Sequence, residues 1–84
     1  MTNKEILKKQ IIYRSSHRGT KEMDILLGNF VKKFIHDFNE NELKDLENLL
    51  FIEDEIIYNW YFKNNLKNNF PVNKVSAMLK SFKL

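Results

Sequence analysis

Two glycines and one proline in 84 residues leave almost no punctuation for tight turns, and this scarcity limits what the chain can build more than any other feature. An all-β chain of this length needs a turn residue every few positions, whereas helices joined by short links do not. The clearest periodic run agrees. Met23, Leu26, Leu27, Phe30 and Phe34 recur at i, i+3, i+4, i+7 and i+11, which keeps one helical face apolar for three turns and excludes a strand. The expectation is an all-α fold, a compact five-helix bundle forming a single domain over residues 1–84.

Boundaries follow from caps and stripes. A first helix is expected over 3–16, capped by Asn3, with Leu7, Ile11 and the flanking Ile6, Ile12 and Tyr13 as a broad apolar face. Thr20 caps the second, whose first turn holds Glu22 and Asp24 at the favourable end of the helix dipole. Asn39 and Glu42 form a capping box for a third helix striped by Leu43, Leu46 and Leu50, with Leu49 beside them. Asp54 is expected to cap a fourth helix carrying Ile57, Trp60 and Tyr61, with Ile56 on a neighbouring row; the Asn-rich stretch Asn64 to Asn69 ends it. Pro71 precedes a short fifth helix with Val75, Met78, Leu79 and Phe82 at helical spacing.

A chain this small buries only about 60–65% of its unfolded surface, so no second domain is expected. Cysteine is absent, which removes disulfides, thiolate nucleophiles and thiolate metal sites. No stretch approaches the ~20 apolar residues that span a bilayer, and the opening MTNKEILKKQ lacks the apolar core of a secretory signal, so the expected compartment is a bacterial cytoplasm.

The net charge of +3 is unevenly spread. Residues 1–36 are basic, 37–55 carry Lys44 against eight acids, and 56–84 carry five lysines and no acid. The link between the second and third helices could be drawn as a DNA-reading helix pair. Its reading helix would then present Glu40, Glu42, Asp45 and Glu47 to phosphate, which argues against nucleic acid as a partner. His36 beside Asp37 cannot direct both groups at one ion from a helix, and no serine sits in a strand-to-helix elbow. Neither a metal site nor an enzyme active site is expected.

What remains is a cluster around one turn: Arg14, His17, Arg18, Gly19, Glu22 and Asp24. The plain reading makes Arg18 and Glu22 an exposed local pair, worth about 0–1 kcal/mol, and Gly19 a residue chosen for its backbone angle. The alternative makes the cluster a protein-binding surface. Gly19 would then allow close backbone approach, Arg18 would offer a planar fork, Glu22 an acceptor, and Arg14, His17 and Asp24 the rim.

The order of these motifs resembles the SdhE, or succinate dehydrogenase assembly factor 2, family. The resemblance rests on Arg14-Ser15, Arg18-Gly19-x-x-Glu22-x-Asp24, Leu27-Gly28-x-Phe30, Glu42-Leu43 before Leu46-Glu47-x-Leu49-Leu50, and Asp54 with Trp60 six residues on. Departures are His17 where a second arginine is usual, Thr20 where an apolar residue is favoured, and Lys63 where a glycine often follows the tryptophan.

The resemblance implies an FAD assembly factor without its own active site, monomeric when free and holding no cofactor stably. It would dock through Arg18-Gly19-x-x-Glu22 on the flavoprotein subunit of succinate dehydrogenase, with the related fumarate reductase as a further candidate, and would promote covalent attachment of FAD there. That chemistry belongs to the partner, whose domain closure must align the flavin 8α carbon with a histidine nitrogen. A regulatory, antitoxin-like protein-binding module is the alternative from another class.

Overall fold

Apolar stripes at helical spacing require partners to cover them, and five helices supply those partners. The computed structural model describes residues 2–64 and 70–83. Among the described residues, helix α1 spans Asn3–Ser16, α2 Lys21–Phe34, α3 Glu40–Leu50, α4 Asp54–Phe62 and α5 Lys74–Ser81, with a 3-10 turn at Ile35–Asp37. The architecture is all-α, as the periodicity predicts.

Helices α2 and α3 hold the centre. Met23, Leu26, Leu27, Phe30 and Val31 of α2 are buried together with Leu43, Leu46, Leu49 and Leu50 of α3. Ile11 reaches this core from α1, Ile57 and Trp60 from α4, and Val75 and Leu79 from α5. Phe34 packs on the edge rather than inside it, in an aromatic group with Phe30, Phe38 and Phe82. The radius of gyration of 12.1 Å matches the ~12 Å of a compact chain of this length.

Of the four caps expected from sequence, those of α2 and α3 are found. Thr20 accepts from the Met23 amide, and Asn39 with Glu42 forms the reciprocal capping box. Asn73 and Ser76 form an equivalent box at α5. At α1 the cap is Thr2, not Asn3: the Thr2 hydroxyl accepts from the Glu5 amide, which makes Asn3 the first helical residue. At α4 the capping position is Glu53, without a side-chain bond, and Asp54 lies inside the helix with its carboxylate drawn elsewhere.

The face of α1 is also narrower than expected. Ile11 is fully buried and Leu7 half-buried, but Ile6, Ile12 and Tyr13 are exposed. Helix α1 packs on both α2 and α3 through the row of Leu7, Ile11 and Ser15, and Ile6, Ile12 and Tyr13 lie off that row. The expected end of α4 at Asn64–Asn69 is met by a helix that stops at Phe62; residues 65–69 lie outside the described residues. Beyond them the Phe70 ring stacks on Trp60 at 3.9 Å, and the Lys80 ammonium donates to the Trp60 and Tyr61 carbonyls, clasping α5 to α4.

Candidate functional site

The turn between α1 and α2 is short, and a four-residue link between antiparallel helices leaves backbone donors that need acceptors. Asp24, one turn into α2, reaches back to take the Arg18 amide at 2.5 Å. Asp54, at the start of α4, takes the Gly19 amide on Oδ2 at 2.7 Å. The turn is therefore held from two sides by carboxylates.

Arg18 completes the arrangement. Its Nε and Nη2 both meet Asp54 Oδ1, at 2.8 and 2.6 Å. Nη1 donates to the Leu50 carbonyl at 2.6 Å and Nη2 to the Ile52 carbonyl at 3.0 Å, which satisfies the end of α3 and the link to α4. A longer contact from Nη1 reaches the Arg14 carbonyl at 3.5 Å. All five guanidinium hydrogens thus have acceptors in the chain itself, and the side chain is only 10% exposed. The local Arg18–Glu22 pair does not form.

Gly19 has an internal reason to be glycine. Its φ is not positive, so no special backbone angle calls for it. A Cβ there would sit 3.0 Å from Asp54 Oδ2, and that oxygen cannot swing away freely because Arg18 holds the other one. The missing side chain lets the carboxylate reach the amide.

The other members of the cluster face outward. Glu22 is exposed, with no ion pair among the described residues. Arg14 lays its guanidinium over the exposed Phe51 ring, 4.4 Å from the centroid. The His17 ring stacks on Tyr13 at 3.9 Å. Its Nδ1 lies 2.8 Å from the Tyr13 carbonyl, an acceptor only, so the ring proton belongs on Nδ1 and Nε2 is left for another group.

Gly19, Thr20, Glu22, Met23, Glu55 and Tyr58 line an open groove beside the Asp54 carboxylate. Arg14, His17, Arg18 and Asp24 lie outside that lining. Asp54, Glu55 and Tyr58 were not among the candidate site residues, because nothing local in the sequence couples α4 to a turn some 35 residues away. In the sequence Asp54 is an acid at a helix start, for which capping is the ordinary explanation, and it also stands in the family motif with Trp60, but neither signal ties it to the turn.

Residues 9–83, which include every residue of this site, match the model of the family described as the flavinator of succinate dehydrogenase. The chain belongs to this family. Similar proteins include a mitochondrial succinate dehydrogenase assembly factor 2 of Scheffersomyces stipitis, 43% identical over 60 residues, which cover 71% of this chain and 40% of that one. The Dictyostelium discoideum protein of the same name is 42% identical over 59 residues, covering 70% and 42%. The FAD assembly factor SdhE of Acetobacter pasteurianus is 34% identical over 73 residues, covering 87% and 64%. The chain thus spans about two fifths of the first two relatives and somewhat under two thirds of the third.

Proposed function

We propose that the chain is an assembly factor that docks on the flavoprotein subunit of succinate dehydrogenase and promotes covalent attachment of FAD. The observation that carries this reading is the family match over 9–83, which takes in the whole Arg18–Asp54 lock. The names of the relatives support the target.

The geometry supports a division of labour within the motif. Arg18, Asp54 and Asp24 act by holding the turn, since their polar atoms are engaged within the chain. Gly19 and Glu22 meet the partner along the groove, and Arg14 and His17 meet it beside the turn. Arg18 contributes to recognition by fixing the shape of this edge rather than by donating a fork across the interface.

No catalytic step is assigned to this chain. FAD is the partner's cargo, and the factor need only bind the closed, attachment-ready flavoprotein better than its other conformers. About 5.5 kcal/mol of differential affinity turns a 1:99 population into 99:1. The factor therefore works where the nascent flavoprotein subunit is found, which in a bacterial cell is the cytoplasm. Fumarate reductase, whose flavoprotein would present the same docking problem, is a second client.

In-gel fluorescence of the denatured flavoprotein subunit reads covalent flavin directly. In a system with no other assembly factor, added wild-type protein restores the signal and Glu22→Ala does not. Equal signal with wild type, with Glu22→Ala and with no addition overturns the reading.

A further inference from the structure

Helices α1 and α2 form an antiparallel hairpin, and the outer seam between them is not filled. Near the turn Gly28 lies against Ser15, with the Ser15 carbonyl 3.8 Å from where a Cβ would stand. At the far end the Lys8 ammonium lies 3.2 Å from His36 Nδ1. Between them runs a groove lined by Ile12, Ser16, Gly28, Lys32 and His36, with Val31 and Ile35 at its base.

The polar groups here are one-sided. Both serine hydroxyls are spent on the Ile12 carbonyl, at 2.8 Å from Ser15 and 3.0 Å from Ser16, so they offer no donor outward. Lys8 can donate to His36 Nδ1 only if the ring proton is on Nε2, which makes that atom a donor too. Lys32 and His36 are exposed and Lys8 is half-buried, and no acid lines the groove. Ile12, 44% exposed, supplies apolar surface among these donors.

We propose that this groove receives an acidic segment of the flavoprotein subunit, with an apolar side chain on Ile12 and carboxylates at Lys8, Lys32 and His36. The inference rests on the docking reading above and extends it. Charge selects the occupant: donors without acceptors suit carboxylates, and an apolar patch among them suits a segment that also carries an apolar residue. The Gly19 groove carries Glu22 and Glu55 whereas this seam carries bases, so charges of opposite sign at the two surfaces would set the partner's orientation.

Biolayer interferometry against immobilised, purified flavoprotein subunit tests this, using wild type, Lys32→Glu, Ile12→Gln and Glu22→Ala. Both groove substitutions are at exposed positions, and unchanged circular dichroism confirms that the fold is kept. Lys32→Glu is expected to slow association roughly tenfold at low salt and much less at high salt, as a charge on the rim of an interface does. Ile12→Gln is expected to speed dissociation several-fold. Wild-type kinetics for both groove variants, alongside weak binding by Glu22→Ala, would overturn the groove and leave the docking reading standing. No binding by the wild type would overturn the docking reading and the groove with it. A change only in the sedimentation of the free protein would instead make a second copy of this chain the occupant, and would also overturn the proposal.

Discussion

Arg18 and Asp54, 36 residues apart, meet at 2.6 Å and tie the turn between α1 and α2 to the start of α4. The same carboxylate holds the Gly19 amide, and the same guanidinium holds the Leu50 and Ile52 carbonyls. One ion pair thus connects four segments at the edge that we assign to the partner. An edge fixed in this way loses little conformational entropy on docking, which favours affinity without added contacts.

Removing one member of this pair should therefore be costly. Asp54→Ala leaves a guanidinium that is only 10% exposed without its counter-charge, and takes the acceptor from the Gly19 amide. The expected loss is about 2–4 kcal/mol, below the upper range for fully buried pairs because Asp54 is 22% exposed. Urea denaturation followed by helicity measures it. A loss under about 0.5 kcal/mol would place the pair among ordinary surface contacts.

Gly19→Ala tests the close approach separately. The added methyl meets Asp54 Oδ2 at 3.0 Å, and the expected destabilisation is about 1 kcal/mol, the low end for overpacking. Gly19→Ala in an Asp54→Ala background should cost almost nothing further, because the oxygen it crowds is gone. Additive losses in that double-mutant cycle would show that Gly19 serves the fold by some other route.

How far this could be anticipated depends on the range of each interaction. Stripes such as Met23–Leu26–Leu27–Phe30 and boxes such as Asn39–Glu42 are local, and both the helices and their buried faces follow from them. The lock is not local. Asp54 opens a helix, where an acid is ordinarily explained by the cap or the dipole, and only the packing of α4 against the turn turns its carboxylate toward Arg18. In the same way, Ile12 and Tyr13 occupy helical spacings that suit a core, but α1 packs along the Ile11 row alone. Sequence places the motif residues in one turn; tertiary contact decides that Arg18 braces while Glu22 faces outward.

Acid should weaken the start of α3 through Glu42. Its carboxyl is held below the ordinary glutamate value, first by the hydrogen bond from the Asn39 amide and then by Lys74. A lowered folded-state value means that this contribution is fully present above the unfolded value of about 4.3 and is lost as pH falls through the folded one. Glu42→Gln should flatten that part of the acid-unfolding curve and leave the neutral-pH slope unchanged. An acid limb identical to wild type would remove Glu42 from the account.

Lys80 gives a test of the α4–α5 clasp. Its ammonium donates to the Trp60 and Tyr61 carbonyls and lies 5.0 Å from the Trp60 ring centroid. Lys80→Met keeps most of the stem and removes the donors, so a loss of about 1–2 kcal/mol is expected, with a shift in the emission of this lone tryptophan. Unchanged emission and stability would mean that the ring contacts with Phe70 hold the two helices together unaided.

Glu22 separates building the edge from using it. It is exposed, stands in the first turn of α2 and has no ion pair among the described residues. Glu22→Gln therefore forfeits only its interaction with the helix dipole, about 0.3–1 kcal/mol, and should melt close to wild type. In the flavin-attachment assay it should nevertheless lose most of the activity, because the charge that meets the partner is gone. Asp54→Asn is expected to show the opposite balance: a clear drop in melting temperature, with attachment falling only as far as the turn loosens. If Glu22→Gln retained full activity while Asp54→Asn lost it at temperatures where both are folded, recognition would lie in the Arg18–Asp54 brace itself. Glu22 would then be an acid placed for its helix alone.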